Sequence, residues 1–106
     1  MPHTDLANHP MLAAPAPVHP GEYIREDVLP ALQISIEAAA ERSGIERSHF
    51  EQLIYEHVPV TAEMAFGLSR LAGNGPWLWI NLQVAYDMWH AFQKLRTEQM
   101  QANSAA

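Results

Sequence analysis

The sequence predicts an all-α domain of five helices behind a flexible N-terminal arm. Three observations carry that prediction. From Gly21 onward apolar residues recur at three- and four-residue spacing, no run alternates with the period of two that a half-buried strand needs, and the periodic segments are punctuated by capping residues, glycine and proline. With 106 residues, 48% of them hydrophobic, the chain has room for one small core and not for two domains.

Residues 1–18 are rich in proline and alanine and show no apolar period, which reads as an arm that adds little to the core. Ile24, Val28 and Leu29 then mark a short first helix with Glu22 in its first turn; Pro30, which has no N–H to donate, is expected to end it. Ser35 is suited to cap a second helix from Ile36 to Ser43, whose run Glu37-Ala38-Ala39-Ala40-Glu41-Arg42 favours helix and which Gly44 stops. A third helix is expected from Glu46 to about Glu56, with Ser48 and Glu51 at capping-box spacing and Phe50, Leu53 and Ile54 on one face. Thr61 caps a fourth helix through Leu71, with Ala65, Leu68 and Leu71 or Ala72 inward. Gly67 should weaken it by about 1 kcal/mol relative to alanine, and Gly73-Asn74-Gly75 breaks it. Pro76 suits the first turn of a fifth helix running from Trp77 past Lys94. Residues 97–106 are small and polar and should fray, leaving 19–96 as the folded domain.

Several kinds of chemistry are excluded or disfavoured. The chain has no cysteine, so disulfides, thiolate catalysis and Cys-ligated metals are ruled out. The first Lys or Arg is Arg25, which leaves no positive start for a secretory signal, and no apolar run reaches the roughly 18 residues of a membrane span. A soluble, cytoplasmic protein without membrane attachment is expected. Among six histidines, His49 and His57 lie eight positions apart, about 12 Å on a helix, too far to share an ion. Asp87 and His90 read as a solvated helix pair, and His19 as a cap or packing residue. No serine joins a His and an acid, and there is no glycine-rich phosphate loop, so no catalytic residue, metal or cofactor is expected and the chain is not read as an enzyme.

Helix two, the break Ser43-Gly44-Ile45 and helix three have the lengths and glycine placement of a helix-turn-helix. The wider pattern is more specific. His19-Pro20-Gly21-Glu22 with Arg25-Glu26, Leu29-Pro30, Val60-Thr61-Ala62-Glu63-Met64-Ala65, and Trp79-Ile80-Asn81-Leu82-Gln83 with Tyr86-Asp87 stand at compatible intervals over residues 18–88. In these blocks the chain resembles the HigA antitoxins of bacterial toxin-antitoxin systems, a branch of the lambda-repressor-like helix-turn-helix proteins. The resemblance implies that fold, a dimer that binds its own operator and represses a short operon, and neutralisation of a RelE-like ribosome-dependent mRNA interferase.

The departures from the family fall where DNA would be read. Ile36 stands where a Gln is usual, Tyr55-Glu56-His57-Val58 replaces an Asn-Gly-Lys-Arg-like turn, and Gly67 replaces a frequent Arg. Ala39 and Ser43 occupy positions commonly filled by leucine, which predicts local looseness beneath the motif, with Ile36 turning inward to compensate. Twelve Asp and Glu against six Lys and Arg give the chain a net charge of −6, and from Gln33 to Gly75 six glutamates face three arginines. Non-specific affinity for DNA comes from neutralising phosphates, so binding must rest on a few local contacts and be steeply weakened by salt. The candidates are Arg42, Arg47, Ser48, His49, Gln52, Tyr55 and His57: Arg47 for guanine or phosphate, Gln52 for adenine, the others for the backbone or nearby base edges. In the competing reading Arg42 and Arg47 pair with neighbouring glutamates on a solvated face, and the chain is a protein-interaction module that has lost specific DNA binding.

All three tryptophans lie between residues 77 and 89. Leu78, Leu82, Ala85, Trp89 and Phe92 mark one face of the fifth helix, and Ile80, Val84 and Met88 another. One helix of so small a domain cannot hide both, so Trp77, Met88, Trp89 and Phe92 are expected at a homodimer interface. The alternative is that these residues pack under the N-terminal arm or a longer first helix.

Overall fold

A computed structural model describes residues 6–104; the beginning of the arm and the last two residues of the tail lie outside them. The five expected helices form. The first, α1, joins three helical turns, Pro20–Tyr23, Ile24–Val28 and Leu29–Leu32. It runs through Pro30 instead of stopping there. The middle turn is widened to π geometry, with the Leu29 N–H reaching back to the Ile24 carbonyl. Widening relieves the clash that a proline ring makes with the preceding turn of a regular α-helix. The helix ends at Gln33, which adopts a left-handed conformation (φ 55°).

Helix α2 spans Ile36–Ser43, and the Ser35 Oγ accepts the Ala38 N–H at 3.1 Å, as its position predicts. Gly44 closes α2 at φ 70°, a conformation that costs glycine nothing. Helix α3, Arg47–Ile54, is shorter than expected at both ends. Ser48 does not cap it: Glu46 holds the N-cap position, and the Ser48 hydroxyl donates to the Glu46 carboxylate at 2.7 Å. Helix α4 spans Ala62–Ala72, with Thr61 accepting the Met64 N–H. Helix α5, Pro76–Ser104, continues through the segment expected to fray; its 29 residues extend about 43 Å, most of the molecule's 55 Å length.

Ile24, Phe50, Leu53, Ile54, Leu68 and Trp79 are fully buried and form the centre of the core. Two glycines set how closely the helices approach. A Cβ on Gly21 would lie 1.8 Å from the Leu53 carbonyl oxygen, and one on Gly67 would lie 2.3 Å from that of Ser43. Gly67 is therefore the contact through which α4 meets the end of α2, and no arginine fits at that site. Ala39 and Ser43 are both buried, and Ile36 packs partly buried against the core.

Helix α5 buries a different line of residues from the one its periodicity suggests. Trp79, absent from both expected faces, is completely buried, with Gln83 below it, whereas Leu78 is exposed. The arm also departs from expectation. Its described part forms two tight turns, Leu6–Asn8 and Pro10–Ala13, the first of them packed against α5. The Leu6 N–H donates to Gln99 Oε1 at 3.0 Å, and the His9 ring lies 5.1 Å from that of Phe92. Phe92 is 5% exposed, so it is an internal packing residue covered by the arm and not part of a free dimer surface.

Candidate nucleic-acid interface

The turn between α2 and α3 is held from outside the motif. Arg70 on α4 donates from Nη2 to the Ser43 carbonyl at 2.8 Å, satisfying an acceptor that the end of α2 leaves open. The buried Ser43 hydroxyl donates to the Ala40 carbonyl and accepts the Ile45 N–H. At the far end of α3, Arg25 from α1 donates to the Ile54 carbonyl, bonds Glu56 and Glu26, and lies 5.9 Å from the Tyr55 ring centroid. The turn and the far end of α3 are thus braced by arginines that spend donors on backbone carbonyls. Nothing in the local sequence signals either brace, because the partners are 27 and 29 positions apart.

With Phe50, Leu53 and Ile54 turned inward, α3 presents Arg47, Ser48, His49 and Gln52 on its exposed side, the first three in its N-terminal half. This is the half of a second helix that meets base edges in helix-turn-helix docking. Arg42 is exposed in the last turn of α2. Tyr55 and His57 are exposed just beyond the other end of α3, where the His57 N–H donates to the Gln52 carbonyl at 2.8 Å. A groove of about 540 Å³ runs beside the exposed face, lined by Glu46, His49, Gln52, Val58, Thr61 and Glu63 among others.

The charge of this face is tightly compensated. Arg47 donates from Nε to Glu51 at 3.0 Å, and its Nη1 lies 2.8 Å from Glu37 on α2. The Glu51 hydrogen bond, followed by the attraction of Glu37, raises the Arg47 pKa above its ordinary value. Glu46 receives the Ser48 hydroxyl on one oxygen, and its other oxygen lies 3.6 Å from His49 Nδ1. Among the described residues no group of three or more His, Asp or Glu side chains is arranged to hold a metal ion. No helix of the described residues is long and apolar enough to cross a membrane.

His19 and Gln83 set the position of α5 behind the motif. His19 is buried; its Nδ1 accepts the Gly21 N–H at 2.9 Å, and its ring meets Tyr86 edge-on at 4.9 Å. Burial lowers its pKa, against opposing pulls from Glu56, Asp87 and a backbone hydrogen bond with Val58. Asp87 accepts from the Gln83 amide, and the His90 ring meets Tyr86 at a tilt and Trp89 edge-on, so Asp87 and His90 are engaged separately. Of the residues expected at a dimer surface, Trp77 is 73% exposed, Met88 is exposed and Trp89 is half-buried. Phe66 on α4, unforeseen from the sequence, is 61% exposed. With Trp77, Ile80 and Ala62 it lines an apolar cleft of about 250 Å³.

No protein-family model matches the chain. It is 34% identical to antitoxin HigA-1 of Vibrio cholerae over 82 residues, which cover 77% of each protein. A solved structure described as a putative antidote protein of a plasmid maintenance system from Nostoc punctiforme superposes with a TM-score of 0.77. It is 36% identical and covers 83% of this chain and 96% of its own. The Pseudomonas aeruginosa antitoxin HigA, solved with the higBA promoter, gives a TM-score of 0.70 at 28% identity, over 79% of this chain and 90% of its own. These relatives are antitoxins and antidotes, not enzymes. Sequence and fold agree, and the chain belongs to the HigA family of helix-turn-helix antitoxins.

Proposed function

We propose that this chain is a cytoplasmic antitoxin that binds operator DNA as a homodimer, represses its own operon and neutralises a RelE-like mRNA interferase. The observation that carries the DNA-binding part is the exposed set Arg47, Ser48, His49 and Gln52 along one side of α3. A promoter complex of a relative with the same fold supports it. Arg42 at the end of α2 is placed to add a phosphate contact, while Tyr55 and His57 serve at most at the edge of the duplex. The homodimer uses the exposed aromatic surface around Trp77, extended by Phe66, with Met88 and Trp89 at its margin. The RelE-like toxin follows from family membership alone.

The test is titration of the full chain into a labelled duplex covering the region upstream of its reading frame, over a salt series. An operator-binding dimer prefers this duplex to a scrambled one and loses affinity steeply as salt rises. Arg47→Ala and Gln52→Ala each lower affinity for the upstream duplex by about tenfold. Equal binding of both duplexes by the wild-type chain overturns the reading.

The second reading is a protein-interaction module without operator recognition. The observation that favours it is the engagement of Arg47 by two carboxylates and of Arg25 and Arg70 by backbone carbonyls, which leaves few free cations on this face. Capture of a co-expressed toxin by a chain indifferent to all duplexes would establish it.

A further inference from the structure

The polar side chains in the first turn of α3 do not all project freely: Arg47 and Ser48 are bonded to carboxylates, and His49 lies 3.6 Å from one. Ser48 and His49 share Glu46, and Arg47 lies between Glu51, four residues along α3, and Glu37, in the first turn of α2. A guanidinium has five N–H donors in one plane. The Nε bond to Glu51 at 3.0 Å and the Nη1 contact with Glu37 at 2.8 Å leave three N–H groups, including both on Nη2. Three are enough for a two-bond contact with the O6 and N7 of guanine. An arginine braced from two helices has less freedom to swing to a neighbouring phosphate than one anchored only by its own backbone. The same carboxylates repel the duplex, so they lower attraction to DNA of any sequence.

We propose that Glu37 and Glu51 are positioning residues for DNA recognition, holding Arg47 in one pose so that it reads a base edge, while reducing sequence-independent attraction to phosphate. The proposal rests on the operator-binding reading above. It gives the acidity of the reading face a role: selectivity gained at lower overall affinity.

The experiment compares the wild-type full chain with Glu37→Gln, Glu51→Gln and Glu51→Asp. Each is titrated into the upstream duplex and into a scrambled duplex of equal length and composition, across a salt series, with circular dichroism to confirm folding. Either glutamine variant should bind the scrambled duplex more tightly and steepen the salt dependence by up to about one unit per protomer, as Arg47 becomes free to engage phosphate. Its preference for the upstream duplex should fall about tenfold. Glu51→Asp keeps the charge but shortens the reach, so preference falls while binding to the scrambled duplex stays at the wild-type level. Unchanged preference in all three variants overturns the proposal, as does preference that rises in the glutamine variants. A wild-type chain that does not distinguish the two duplexes overturns the operator-binding reading and this proposal with it. That outcome is separate from a selective wild type whose variants are equally selective.

Discussion

Gln83 on α5 accepts the Val60 N–H through Oε1 at 2.8 Å, and both groups are buried. Its Nε2 donates to Asp87 at 3.0 Å, so one amide joins the long helix to the loop that follows α3. The length of that bridge sets where α5 stands relative to the reading helix. Gln83→Leu keeps much of the side-chain volume but leaves the Val60 N–H without a partner, at a cost of about 1–3 kcal/mol. Urea denaturation should show that loss with an unchanged m-value; stability equal to wild type would mean that the bridge does not hold in solution.

Gly67 gives a prediction whose sign separates local from tertiary effects. Alanine is better than glycine in a helix by about 1 kcal/mol, so Gly67→Ala should stabilise α4 taken alone. In the folded chain the new Cβ meets the Ser43 carbonyl oxygen at 2.3 Å, and a backbone atom cannot swing aside. The helices must separate, and the net result should be a loss of about 2 kcal/mol in thermal or chemical denaturation. Any gain would show that α2 and α4 do not cross so closely.

His19 should make stability depend on pH. Burial lowers its pKa in the folded chain from an ordinary 6.5, so the unfolded chain takes up the proton more readily. Its contribution to stability is complete above about pH 6.5 and is lost as pH falls towards the lowered folded value. Protonation also removes the Nδ1 acceptor that caps α1. Asn retains a capping oxygen but does not titrate, so His19→Asn should flatten the loss of stability on acidification in this window. An unaltered pH profile would assign the titration elsewhere.

Phe92 and Trp77 should behave oppositely although both are aromatic residues of α5. Phe92→Ala removes a ring enclosed by the arm and should cost about 3 kcal/mol of folding stability. Trp77→Ser removes an exposed ring, leaves monomer stability within about 0.5 kcal/mol and weakens self-association in sedimentation measurements. A stable Phe92→Ala chain, or a Trp77→Ser chain that dimerises like wild type, would reverse the respective assignments.

Much of the candidate site was legible because its determinants are local. Ser35 and Thr61 cap the helices they precede, Gly44 turns the chain between α2 and α3, and the inward face Phe50, Leu53 and Ile54 leaves Arg47, Ser48, His49 and Gln52 outside. Periodicity alone settles that division. It does not reveal what an exposed arginine touches, and the Glu37 contact comes from another helix. Tyr55 was expected within α3; instead the helix stops at Ile54, whose carbonyl accepts from Arg25.

The sequence by itself determined the helical class, the order of five helices, the helix-turn-helix and the family, because caps, glycines and apolar spacing act over a few residues. Tertiary structure decided which face of α5 is buried, since the line through Trp79 and Gln83 belongs to neither apolar face that spacing marks and is selected by the bridge from Gln83 to Val60 and the burial of Trp79. It also decided that α1 runs through Pro30, that the arm covers Phe92 and that Gly67 is a contact instead of a weakness. The π turn beneath Pro30 is a backbone adjustment that composition does not announce, and the other two depend on atoms distant in the chain that meet only when the core closes.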